Sequence, residues 1–484
     1  MIRFDRASAA DDASTSAHTR HLALWSTAVA ASLAIGPRAP LYWDSLNYVE
    51  QALTGRVGGL LLGRPLFVLA SHLATRVALS LAASPWSIEP LLRHAWLAFA
   101  ALAAPLAASL ARRVGLSPRA AWIAGLLVAL SPAGAHTRDA VLTDGAATAM
   151  VLLALVVRAG GTSAATVLGS GALVGLAFGL REQAAIHLLT ALLVPVPSPR
   201  RPVRDALLLG VGFALSAGSL LLLARATNPD YLASIARWMH GMAAERREPR
   251  PPGEALSRYL LWLVALSPVA LPAAAAWWAR SRDRWWPMVV PASLGLLALS
   301  RYQDIAFSPR YLLTEFVVAT TLPAAAWLDR SLPRRAQLLW IIPSLVLLPL
   351  AGHLLDARQR PLRELVAALP RDLQRVPPDS VIVTGQACPA VRLTARIARD
   401  HRASWEAAPP RWTTLCPGWS WPADPSARLE DALRQGRPVV LDLRDAAWLG
   451  GPQRLRRAEL QRFASEHAAD PRVISWRDAP GRPR

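Results

Sequence analysis

Eleven stretches of mainly apolar residues recur along the first three quarters of this 484-residue chain, centred on 22–40, 90–110, 118–134, 141–158, 164–180, 184–197, 206–224, 258–278, 285–300, 311–328 and 336–354. Most approach the roughly 20 residues that a helix needs to cross a hydrocarbon layer. One soluble core does not need so much apolar sequence, and the excess has to face lipid. The expected fold is therefore a polytopic α-helical membrane protein of about 11 transmembrane helices. The sixth and ninth stretches are short and end in Pro or Arg. The first twenty residues are polar, and no small-residue cleavage site follows the first apolar run, which predicts a retained anchor.

Charge sets the orientation. The 53 basic residues are all arginine and face 33 acidic ones, for a net charge of +20. They are spread between the apolar segments and do not line one face or tail, which argues against nucleic acid as a partner. An arginine fork suits phosphate, although the same bias follows from a high-GC composition. Arg112, Arg113 and Arg119 follow the second stretch; Arg200, Arg201 and Arg204 the sixth; Arg280, Arg282 and Arg284 the eighth; Arg330, Arg334 and Arg335 the tenth. Cytoplasmic loops hold positive charge back, so these are expected inside and the loops between them outside. The organisation expected is a cytoplasmic tail over 1–21, a transmembrane domain over 22–354 with outer loops 41–89 and 225–257, and an extracytoplasmic domain over 355–484.

Within the first outer loop, Arg64, Ser71, His72, Thr75 and Arg76 fall on one side of a helix otherwise built of Leu, Phe, Val and Ala, a pattern that predicts an interfacial helix. An extra span there is the alternative; it would invert everything downstream and break the arginine alternation. In the last segment, short β-branched runs at Ser380 to Thr384, Pro438 to Leu443 and Arg472 to Ser475 alternate with helical stretches such as Ala458 to Ala468, which predicts a small α/β domain. Both cysteines, Cys388 and Cys416, lie there; an oxidising compartment would let them pair, which spacing alone does not establish. Six tryptophans (Trp405, Trp412, Trp419, Trp421, Trp448 and Trp476) either stack on sugar rings or build the domain's own core.

The unusual polar residues gather in four clusters on the side expected to be outside. If 43–54 is helical, Asp44, Asn47, Tyr48 and Gln51 share one face, and Asp44 is also well placed to cap the helix. The second cluster is Ser131-Pro132, His136, Arg138, Asp139 and Asp144, where Asp144 enters an apolar run in which a carboxylate is costly unless paired. Arg138 is a candidate to neutralise either acid. The third is Arg181-Glu182-Gln183, whose charges are able to satisfy each other. The fourth joins Arg301-Tyr302-Gln303-Asp304 to Ser308-Pro309-Arg310-Tyr311. No phosphate-cradling glycine loop, His-Glu-x-x-His or pair of Cys-x-x-Cys knuckles is present. Transporters usually keep ionisable groups near mid-bilayer, whereas these sit at span ends, which favours a site at the membrane surface.

Trp43-Asp44 with Tyr48, Ala52, Leu53 and Gly55, then Arg64-Pro65-Leu66-Phe67, then Ser131-Pro132 followed by Arg138 and Asp144, and more weakly Arg310-Tyr311-Leu312-Leu313, resemble in order and spacing the C-type (GT-C) membrane glycosyltransferases, nearest the protein O-mannosyltransferase and aminoarabinose lipid transferase branch. The resemblance covers about residues 20 to 330. It implies a sugar on a polyprenyl phosphate, transferred with inversion to a lipid, glycan or protein acceptor on the outer face of a bacterial plasma membrane, with membrane lipids around it. It implies Asp44 as the catalytic base, Arg64 with Arg138, Arg181 or Arg310 on the donor phosphate, and Asp139, Asp144 and Tyr48 orienting the acceptor or a cation. Ser45 stands where many relatives have a second acid, which leaves a divalent cation an open question as cofactor. A transporter or flippase of lipid-linked glycan, or a non-catalytic scaffold on the same fold, are the competing readings.

Overall fold

The computed structural model describes residues 5–35, 43–58, 64–81, 83–197, 201–236, 267, 269–280, 283–302, 313–385, 387–401, 412–415, 425–448 and 451–477. In chain order the helices of the first part are α1 (Asp5–Ile35), α2 (Trp43–Thr54), α3 (Pro65–Ser80), α4 (Ile88–Ala101), α5 (Ala103–Arg113), α6 (Pro118–Ala129), α7 (Pro132–Arg138), α8 (Asp144–Ala159), α9 (Ala164–Leu180), α10 (His187–Leu193), α11 (Pro202–Thr227), α12 (Ala270–Arg280), α13 (Trp286–Tyr302), α14 (Leu313–Phe316) and α15 (Leu322–Ser331). A π-helical segment, Val317–Thr321, joins the last two.

The apolar stretches are helical where described, but they do not form eleven uniform spans. Among the described residues two helical segments are long and apolar enough to cross a bilayer, Ile88–Arg113 and Pro202–Thr227. Others are cut short for local reasons. The stretch expected at 118–134 stops at Ala129 because Ser131 accepts the Gly134 amide at 3.1 Å and Pro132 opens α7, the arrangement that starts a new helix. The one at 184–197 begins as a 3-10 turn over Glu182–Ile186 and ends before Pro195. The stretch at 258–278 lies partly outside the described residues, as does most of the outer loop 225–257.

Helix α11 leaves most of its surface uncovered: Val203, Leu207, Val211, Leu215 and Leu222 are all exposed. Its opposite face packs on α9 so closely that a Cβ on Gly171 would lie 2.2 Å from the Leu209 carbonyl oxygen, and one on Gly212 would lie 2.1 Å from that of Leu168. Only glycine permits that approach. Helix α3 corrects the interfacial expectation. Its polar residues Ser71 and Thr75 are buried in the protein, with Ser71 accepting the Trp96 indole N–H at 2.9 Å, while Leu73, Val77 and Leu81 at its edge are exposed.

The loops expected to be cytoplasmic meet at one end of the bundle. Arg119 faces Asp329 at 3.8 Å, Arg330 holds Asp283 through two bonds of 3.0 and 2.9 Å, and Arg204 donates to the Thr162 carbonyl at 2.6 Å. Just inside that end, Arg158 of α8 and Asp205 of α11 form a fully buried pair at 2.8 Å.

A long helix, α16 (Ile342–Gln374), leads into the last quarter. There, β1 (Val381–Val383), α17 (Cys388–His401), β2 (Thr413–Leu415), α18 (Pro425–Arg434), β3 (Val439–Asp442), α19 (Gly451–Glu466) and β4 (Val473–Trp476) build a parallel sheet of order β2-β1-β3-β4. Three of these strands fall where the β-branched runs predict them; β2 does not. Arg444, at the end of β3, pairs with Asp442 at 2.8 Å and with Asp372 of α16 at 2.7 Å, and its guanidinium stacks 5.0 Å from the Trp476 ring. Trp448 is 2% exposed and belongs to the domain core. One continuous apolar core runs from Val49 of α2 and Phe67 of α3 to Leu369, Val383 and Val440, so the sheet and these helices form one packed body.

Candidate functional site

Helix α2 has the twelve residues and the register that put positions 44, 47, 48 and 51 on one side. Because the helix includes Trp43, position 44 lies inside its first described turn. The Asp44 side chain is outside the described residues, as are the side chain of His136 and all of Arg310. Tyr48, expected to orient the acceptor or a cation, is 3% exposed, and its ring lies 4.9 Å from Phe67, packing α2 on α3.

At the start of α3, Arg64 adopts a left-handed backbone (φ 53°, ψ 56°), the one positive-φ non-glycine among the described residues. That conformation turns the chain sharply into Pro65, which opens the helix, and the guanidinium pairs with Glu182. One residue away, Arg181 ends α9 in an extended conformation, pairs with Asp144 and donates from Nε to Gln183 at 2.7 Å. The expected mutual pairing of Arg181 with Glu182 is thus replaced by two pairs to distant partners. Adjacent residues separated by an extended bond cannot turn toward each other as easily as toward the flanking helices. The result is two arginines and two carboxylates side by side, each largely buried.

Arg138 is corrected too. It neutralises neither acid: Nε donates to Ser32 at 2.9 Å, Nη1 to the Val128 carbonyl at 3.1 Å and Nη2 to the Ala129 carbonyl at 2.6 Å. These last carbonyls of α6 are the orphan acceptors of a helix end, so Arg138 caps α6. Burial lowers its pKa to about 9, and it stays charged at neutral pH. Asp139 instead faces Arg93 at 3.7 Å. Burial pushes its carboxyl up to about 6, with Arg93 and His94 pulling the other way.

Two features flank the paired charges. A small cavity with room for about one water is bounded by Asp144, Arg181, Gln183, Thr314 and Glu315. Thr314 shares a hydrogen bond of 2.8 Å with Thr148 of α8, and Glu315 lies 3.6 Å from Nε2 of the fully buried His187. On the other side a groove of about 310 Å³ is lined by Leu66, Ala70, Leu92, Trp96, Phe99 and Leu180, among others. Leu180 precedes Arg181 and Leu66 follows Arg64 by two, so the charged pairs adjoin the groove along the chain, although none of the four charged residues lines it. Thr314, Glu315 and His187 were not anticipated from sequence. The rule that flags Asp144, a carboxylate entering an apolar run, applies equally to Glu315. Among the described residues no three His, Cys, Asp or Glu side chains converge as metal ligands, and the acid best placed, Asp144, already has Arg181.

No family model matches the sequence. The search of curated proteins returns no match either.

Proposed function

We propose that this chain is a polytopic membrane glycosyltransferase that moves a sugar, with inversion, from a polyprenyl-phosphate donor to a lipid, glycan or protein acceptor on the outer face of a bacterial plasma membrane. The observation that carries it is that Arg64 and Arg181, each buried and paired with a carboxylate, adjoin along the chain two residues, Leu66 and Leu180, that line an apolar groove. A greasy chain with a phosphate at its head needs that combination: apolar walls for the isoprenes, and guanidinium forks for the charge. In the resting site the forks are held by Glu182 and Asp144, so an arriving phosphodiester exchanges with carboxylates and does not strip bare cations of water.

Asp44 takes the proton of the acceptor hydroxyl as its oxygen forms a bond to the anomeric carbon. The bond from that carbon to the phosphate oxygen breaks, its electron pair leaves with the polyprenyl phosphate, and Arg64 and Arg181 stabilise the departing charge. Arg310 remains a further candidate for the phosphate; Arg138 is excluded because its donors serve the end of α6. Asp144 acts by setting Arg181, and Asp139 keeps the outer end of α7 in place against Arg93.

The membrane setting, with about eleven crossings and a cytoplasmic N-terminus, draws support from the uncovered apolar face of α11, from the gathering of arginine-rich loops at one end, and from Cys388. That residue is disulfide-bonded, in a chain with one other cysteine, as suits an oxidising compartment for the C-terminal domain. The test is Asp44→Asn in purified protein given a panel of labelled polyprenyl-phosphate sugars. Transfer should vanish while membrane insertion and thermal unfolding stay as in the wild type; full turnover by the variant would remove Asp44 from the reaction.

A further inference from the structure

Helix α2 is short, and a twelve-residue helix has little stability of its own in water. Its inner side is fixed by Val49, Ala52 and Tyr48 against α3. The helix also packs against α17 of the C-terminal domain, where one side chain reaches two polar residues of α2. Arg392 of α17 donates from Nη2 to the Asn47 side-chain oxygen and places Nε 3.1 Å from the Glu50 carboxylate. Asn47 and Glu50 are three residues apart on α2, so one guanidinium spans a turn of that helix. Arg392 itself is seated rigidly. It lies one turn from the disulfide-bonded Cys388 and between the buried Val391 and Leu393.

From this geometry we infer that Arg392 is a positioning residue that sets the rotation of α2 about its own axis, and with it the direction in which residue 44 is presented. Position 44 lies about 60° around the helix from Asn47, at a rise of three residues. A fork gripping Asn47 and Glu50 therefore fixes the azimuth of residue 44 without touching it. A lysine cannot do the same, because a point charge satisfies one partner at a time. The C-terminal domain thereby becomes part of the active centre although it contributes no reacting group. This rests on the glycosyl-transfer reading above, which the experiment tests separately.

The full chain in nanodiscs is compared as wild type, Arg392→Ala, Arg392→Lys, Glu50→Gln and Asp44→Asn. Hydrogen exchange over 43–54 should quicken about tenfold in Arg392→Ala and less in Arg392→Lys, while β1 and β3 keep their protection. In the same variants kcat should fall, with affinity for a C55 polyprenyl phosphate, measured directly, unchanged within about twofold, since the arginines that hold the phosphate are untouched. If β1 and β3 also lose protection in Arg392→Ala, Glu50→Gln, which leaves the C-terminal domain intact, carries the test and should show the same quickening. Wild-type exchange over 43–54 in Arg392→Ala, or in Glu50→Gln where that variant carries the test, overturns the positioning role alone. Full turnover by Asp44→Asn overturns the role of residue 44 and with it the positioning role, whereas no transfer by the wild type from any labelled polyprenyl-phosphate sugar overturns the glycosyl-transfer reading itself.

Discussion

Arg64 carries two separable properties, a left-handed backbone and a guanidinium, and two substitutions distinguish them. A non-glycine residue held in that conformation costs about 1 to 2 kcal/mol. Arg64→Gly removes the charge and the strain together, whereas Arg64→Ala removes the charge and keeps the strain. Both lose the partner of Glu182, which is 14% exposed and so retains some access to water. Arg64→Gly should therefore be more stable than Arg64→Ala by about 1 kcal/mol, which for a chain of this length is about 1 °C in Tm. Both should lose the charge-assisted bonds to donor phosphate, worth about 1.5 to 3 kcal/mol, so that donor affinity drops roughly 10- to 100-fold in each. Thermal unfolding in nanodiscs reads the first quantity, and titration with a C55 polyprenyl phosphate the second. Equal stability of the two variants would refute the strain argument. Wild-type affinity in both would refute the phosphate role.

The buried pair of Arg158 and Asp205 makes an asymmetric prediction. Asp205→Ala removes the carboxylate that faces the buried Arg158 and should cost about 3 to 5 kcal/mol, whereas Arg158→Leu leaves Asp205 with Arg204 and should cost less; replacing both by leucine should recover most of the loss in a double-mutant cycle. Asp139 is held protonated more readily in the folded chain than in the unfolded one. It therefore costs the wild type stability as pH rises from about 4 through about 6. Asp139→Asn should abolish that part of the slope in unfolding measured between pH 4 and 7. Thiol trapping in intact cells should leave Cys388 unlabelled without reductant and label it from outside once reduced; labelling without reductant would oppose an oxidising location.

What sequence alone could reach was whatever depends on neighbours along the chain. The shared face of α2, the three β-branched strands and the convergence of the arginine-rich loops each follow from local period or local charge. The three-residue β2 escaped because Thr413–Leu415 is too short to show alternation, and it is recruited by β1 alone. Span lengths were overcounted because apolar content is blind to a cap such as Ser131-Pro132 that restarts a helix within an apolar run. The pairing of charges was not legible either. Arg138 and Arg181 each have an acid next in sequence and Arg64 has none nearby, yet the partners of all three are set by which helix ends meet: carbonyls of α6 for the first, Asp144 for the second, Glu182 for the third.

At a rise of 1.5 Å per residue, the 33 residues of α16 make a rod of up to about 50 Å, against a hydrocarbon layer of about 30 Å. Some 20 Å of it would stand clear of the lipid, with Arg444 and Asp372 bolting the sheet to the raised end. Because the sheet shares one apolar core with α2 and α3, that projecting end and the helix that follows Arg64 are held together as a single block. A push on the sheet would therefore be felt at α2 without any hinge between them to absorb it.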